Sequence, residues 1–245
     1  MIKFFRKVRH RFLLESKFSR YLLYAVGEII LVVIGILIAI QIDTWRTEKR
    51  KLNMERNYLL NLVQDLKNDS IGHVLGWVKR YEAKVNGLKL AKDYYYGYYI
   101  PEDSIAFMNA VGKGGIGSIG GIRLNDKTFR DLINTGNIGL IRDDNVRNQI
   151  SNYYTDIEFA IDYLNNLRSP YSKRVNSLRP FNPLQPNELD NRDINLFFKS
   201  INKPDMIELI NLEITYGNSA NQQYKDMHQT SLALKNSILK YLKYN

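Results

Sequence analysis

Apolar residues follow two different rhythms along this chain. Across residues 21–42 they run together, YLLYAVGEIILVVIGILIAIQI, and Glu28 is the single formal charge in 22 residues. A buried helix of a soluble protein keeps a polar stripe, and residues 29–40 have none on any side. A bilayer core needs about 20 mainly apolar residues in helix. Tyr21 and Tyr24 at one end and Trp45 past the other stand where amphipathic rings favour the headgroup level. The pattern predicts a membrane-spanning helix over residues 21–45. A cleaved signal peptide would have a shorter apolar run and small residues at the cut. Ala39-Ile40-Gln41 offers no such site, so the stretch reads as an uncleaved signal anchor.

Beyond the span the period becomes helical. Leu59, Leu62, Leu66, Val74, Val78, Tyr81, Val85 and Leu88 predict one long helix over residues 55–96, with Gly72 and Gly76 marking a bend. It runs into Tyr94, Tyr95, Tyr96, Tyr98 and Tyr99 before Pro101. Such a cluster either caps a helical core or offers an interaction surface. Residues 112–121, GKGGIGSIGG, match a dinucleotide fingerprint formally, but no strand precedes them, so they are expected to form a loop. Asn125 and Asp126 are caps for a short helix carrying Phe129, Leu132 and Ile133. Gly136 stops it, Ile138 to Ile141 form an apolar bridge, and Asp143 or Asp144 opens a helix extending to Arg168. Pro170, Pro180, Pro183 and Pro186 predict an extended connection over residues 169–190. A short helix with Ile194, Phe197, Phe198 and Ile201 follows. Pro204 then starts a long one towards Leu242, with its kink expected at Gly217. The fold class is therefore all-α: a transmembrane helix, then an elongated helical-bundle domain over residues 46–245.

Three blocks carry a resemblance to a known family. They are the leader and span, MIKFFRKVRH…KFSRYLLYAVGEIILVVIGILIAIQIDTW, the Tyr58-Leu59-Leu60…Asp65-Leu66 segment, and TFRDLINTGNIGLIRDDNVRNQISNYY at residues 128–154. Together they resemble domain of unknown function 6090, found largely in Bacteroidota. The resemblance implies a single-span bacterial envelope protein, makes Glu28 a family feature, and brings no activity with it.

Charge sets the expected topology. Lys3, Arg6, Lys7, Arg9, Arg11, Lys17 and Arg20 face Glu15 alone within residues 1–20, against a weaker excess after the span. The bias puts the N-terminus in the cytoplasm and residues 46–245 in the periplasm, anchored in the inner membrane. The leader is either an amphipathic helix on the anionic leaflet or a simple topogenic tail. The net charge is +10; most of the concentrated positive charge has this topological explanation, and no nucleic-acid motif accompanies it. Glu28 is either about two turns deep or at the interface. Deep, it would favour self-association, for which Gly35 and Ala39 form a small-xxx-small pair.

Chemistry is sparse. The chain has no cysteine, and its three histidines, His10, His73 and His228, stand apart. No hydrolase or metalloprotease motif is present. Asp65, Asp69 and Glu82 read as a solvated helix face. No catalytic, cofactor or metal residues are expected. The partners expected are the bilayer and either a second copy or another envelope protein, without nucleic acid. The functional expectation is a scaffolding or oligomerising role. The alternative is a ligand-sensing domain that relays through a membrane partner. A third reading makes Glu28 part of an ion path in an oligomer.

Overall fold

The computed structural model describes residues 18–117, 124–167, 170–178, 182, 184–185 and 187–244. Most of the predicted leader, residues 118–121 of the glycine-rich stretch, and Pro180, Pro183 and Pro186 lie outside the described residues. Among the described residues every regular element is helical. Two compact units divide the chain after Glu55.

Helix α1 is Phe18–Asn68. Its first part, up to Glu55, carries the apolar run, and every Leu, Ile and Val between residues 22 and 42 is exposed. By length and composition it is apolar enough to cross a bilayer.

The second unit begins at Arg56. The expected bend near Gly72 takes the form of a π-helical turn, Asp69–Val74, after which α2 continues over Leu75–Tyr95. π turns inside helices are uncommon and often mark functional sites. Helix α2 ends in a Schellman motif: Tyr98 N–H donates to Asp93 O (2.8 Å) and Gly97 N–H to Tyr94 O (3.1 Å). Gly97 holds φ 78°, a left-handed conformation that costs glycine nothing.

Helix α3 is Ser104–Gly117, opened by Asp103, whose Oδ1 accepts from Ile105 N–H and Ala106 N–H. Residues 112–117 are thus helical and not the expected loop. Phe107, Met108 and Val111 are buried, and this packing outweighs the glycine penalty of about 1 kcal/mol per residue. Helix α4 (Lys127–Asn134) ends at Gly136 (φ 68°). A 3₁₀ turn, Asn137–Leu140, leads to α5, Asp144–Asn166. Asp143 caps α5, accepting from Val146 N–H at 2.8 Å. Of the expected apolar bridge only Ile141 is fully buried.

The proline-rich connection needs a correction. Residues Pro170–Leu178 form helix α6, with Tyr171, Val175 and Leu178 buried along one stripe. Pro170 occupies the first turn, where a missing N–H costs nothing. Helix α7 (Asn191–Ile201) is capped by Asp190, and α8 runs unbroken over Pro204–Tyr244. The kink expected at Gly217 is replaced by a close approach: a Cβ there would lie 2.8 Å from Val85 Cγ2.

Helices α2 and α8 are antiparallel. Trp77 stacks on Tyr224 (5.7 Å between centroids), whereas the later Val85 meets the earlier Gly217. Along this pair lie two apolar cores. One gathers the end of α1, α4, α5 and the distal part of α8 around Leu66, Ile150 and Tyr224. The other gathers α3, α6, α7 and the start of α8 around Phe107, Tyr171 and Phe197. Between these stretches of α2 and α8, Lys84 and Glu213 form a buried ion pair.

Candidate functional site

The end of α1 and the π turn hold the α4–α5 corner through carboxylates. Asp65 accepts from Asn125 Nδ2 (2.6 Å) and from Thr128 Oγ1 (2.5 Å). Both oxygens of Asp69 accept from Asn125 N–H at 2.9 Å. Tyr58 O–H donates to Asp131 (2.8 Å) and accepts from Asn137 Nδ2 (2.9 Å). Asp65 and Asp69 are therefore buried, not the solvated face expected of them. Burial pushes the Asp69 carboxyl above its ordinary value, more than the Asn125 N–H pulls it down. Glu82 does face water, 2.9 Å from Lys225, which lowers its pKa.

The corner carries an open pocket of about 530 Å³, within the range of small-molecule sites. Leu124, Ile157 and Ile161 supply apolar wall, and Phe129 stacks on Tyr154 at 4.2 Å and 8°. Asp126 and Arg130 line the cavity as an ion pair (2.5 Å), while Glu158 and Asp162 add carboxylates from α5. Tyr154 is only 7% exposed, and its hydroxyl finds no hydrogen-bond partner among the described residues. Burial, then Tyr153 and the Asp65, Asp69 and Asp126 charges, raise its pKa far above the ordinary range. The phenol stays neutral, able both to donate and to accept. An unmet buried hydroxyl of this kind costs about 1–3 kcal/mol.

The residues singled out in the sequence lie elsewhere. Glu28, Gly35, Ala39 and Trp45 are exposed on α1, and a Cβ at Gly35 would meet nothing within 4 Å. The tyrosine cluster divides. Tyr94 and Tyr99 pack against Phe107, at 5.2 and 6.0 Å, as part of the core, whereas Tyr96 and Tyr98 remain exposed. Among the described residues no group of three or more His, Cys, Asp or Glu could hold a metal. Sequence reasoning did not single out Tyr154 as a site residue. It sits beside Tyr153, which is on the buried period of α5, and it closes the block at residues 128–154 that carries the family resemblance.

Fold and corner together define an all-helical protein with one long apolar N-terminal helix and a two-core helical unit. The chain belongs to a family of unknown function, DUF6090, which matches over residues 28–213. That match includes Glu28, both buried aspartates, Tyr154 and the Lys84–Glu213 pair. No curated protein and no solved structure matches the chain.

Proposed function

We propose that this is a single-pass protein of the bacterial inner membrane, with its N-terminus cytoplasmic and residues 46–245 periplasmic, acting by association and not by catalysis. The supporting observation is the exposure of fourteen Leu, Ile and Val side chains between residues 22 and 42. Full burial of each is worth about 1.5–3 kcal/mol, a total well beyond the net stability of a typical domain, about 5–15 kcal/mol. A single Glu28, at roughly 3 kcal/mol on insertion scales, does not reverse that balance. Lipid or a second helix must cover the stretch. Gly35 and Ala39 give a close-approach face for a second copy or another envelope protein.

The cysteine-free chain allows a clean test. Glu102→Cys is expected to react with a membrane-impermeant maleimide in intact cells whose outer membrane has been permeabilised. Ala39→Cys is expected to give a disulfide-linked pair in oxidised membranes. Labelling of Glu102→Cys only after lysis would overturn the topology. Monomer alone at every expression level would overturn self-association, and crosslinking with mass spectrometry would then decide whether another protein is the partner. A second reading, a ligand-sensing domain that relays through a membrane partner, is favoured by the pocket beside α5.

A further inference from the structure

The stretch of α1 that follows its apolar run is dense in cations. Arg46, Lys49, Arg50 and Lys51 stand within six residues, all exposed. Lys51 is matched by Glu48 at 3.1 Å. Arg46, Lys49 and Arg50 fall at i, i+3 and i+4, so they share one helix face. Among the described residues none of these three forms an ion pair. Asp43, one turn nearer the apolar run, is the single carboxylate on that side. Glu48 stands on the opposite side of the helix, and Glu55 further along is buried. The face is therefore net cationic. Lys49 Nζ lies 5.3 Å from the centroid of the Trp45 ring, and an indole just past a span favours the headgroup level. Arg46 and Arg50 are about 6 Å apart along the axis. Both guanidinium groups can thus meet one phosphodiester, whose oxygens accept paired N–H bonds from arginine. Charge bias does not account for these cations. On the exported side of the span they work against the excess in the leader that sets the topology.

We propose that this face of α1 binds the headgroup of an anionic phospholipid in the outer leaflet of the inner membrane. Arg46 and Arg50 would hold the phosphate, and Lys49, placed over Trp45, would add the third charge. A zwitterionic lipid presents the same phosphate, but its own ammonium cancels the net charge that the three cations recognise. The inference rests on the proposed span and orientation, and it adds the class of lipid.

Native mass spectrometry of the full chain released from detergent micelles tests this, with phosphatidylglycerol and phosphatidylcholine of identical acyl chains as probes. A cation near an anionic surface is worth about fivefold in affinity. With Asp43 offsetting one of the three, phosphatidylglycerol is expected to bind on the order of tenfold more tightly. The triple variant Arg46→Gln/Lys49→Gln/Arg50→Gln alters only exposed positions. It is expected to keep the melting temperature and to lose the preference. Glu48→Gln/Lys51→Gln, which removes the neighbouring ion pair, should retain it. Equal binding of the two lipids would overturn the proposal, as would a preference that survives the triple change. Displacement of phosphatidylglycerol by inorganic phosphate at equal concentration would also overturn it, by reducing the face to a general anion site. Extraction of the chain from membranes by alkaline carbonate would instead overturn the span itself, whereas an integral chain without lipid preference would sink this inference alone.

Discussion

Two glycines on α2 should respond oppositely to the same methyl group. A Cβ at Gly87 would lie 2.0 Å from the Ala110 carbonyl oxygen and 2.6 Å from its carbon, so backbone of α3 would have to move. Gly87→Ala is expected to destabilise the chain by about 1–3 kcal/mol, the usual range for overpacking. At Gly76 nothing lies within 4 Å, and Gly76→Ala is expected to stabilise by about 0.5–1 kcal/mol through helix propensity and a less flexible unfolded chain. Urea unfolding of both variants checks the pair. Phenols offer a second test. Burial pushes Tyr153 up to about 12, and raises Tyr154 and Tyr224 further. The sign follows from linkage: these groups lose their protons earlier in the unfolded chain, near the ordinary value of 10. Their contribution to stability is therefore complete below about pH 10 and is lost as pH rises towards and through the folded values. In an alkaline titration at 295 nm, these three of the 17 tyrosines should ionise only together with loss of helical circular dichroism. Early, reversible ionisation of all 17 would contradict that.

At the scale of elements, Lys84 and Glu213 couple α2 to α8 through charge where the surrounding packing is apolar. Removing one partner takes the opposite charge away from a buried group, so Lys84→Met and Glu213→Leu are each expected to cost about 3–5 kcal/mol. The double variant should recover most of that loss, since well-packed apolar residues replace buried pairs at little cost. A double-mutant cycle measures both. This pair also marks where the sequence stops being informative. Period alone located α5, α7 and α8, because each buries a single stripe and periodicity reports burial. It also anticipated an interruption at Gly72. It missed α6, because Pro170 in a first turn has the same letter as a breaker, and the stripe of Tyr171, Val175 and Leu178 is only two turns long. It misread Asp65 and Asp69 for a different reason. On their own helix they look like any solvated acid, and only the docking of Asn125 and Thr128, some 60 residues later, makes them structural. The cavity was equally invisible. Phe129 was legible as a core residue, but nothing local says that the Tyr154 hydroxyl beside it lacks a partner.

At the scale of the molecule, the first unit carries an exposed apolar helix long enough to cross a bilayer. The more informative region is the second unit, where buried carboxylates and a lined cavity meet at one corner. Its architecture has a further consequence. Both cores are built on the same two helices, α2 and α8, so neither can open while the other keeps both helices docked. In native-state hydrogen exchange, amides near Val78 and Tyr224 should therefore share one limiting opening free energy with those near Leu88 and Ile210. Two distinct plateaus would mean that the pair of helices unzips from one end. A single plateau would make this unit one foldon, in which anything bound at the α4–α5 corner also slows exchange at the far core.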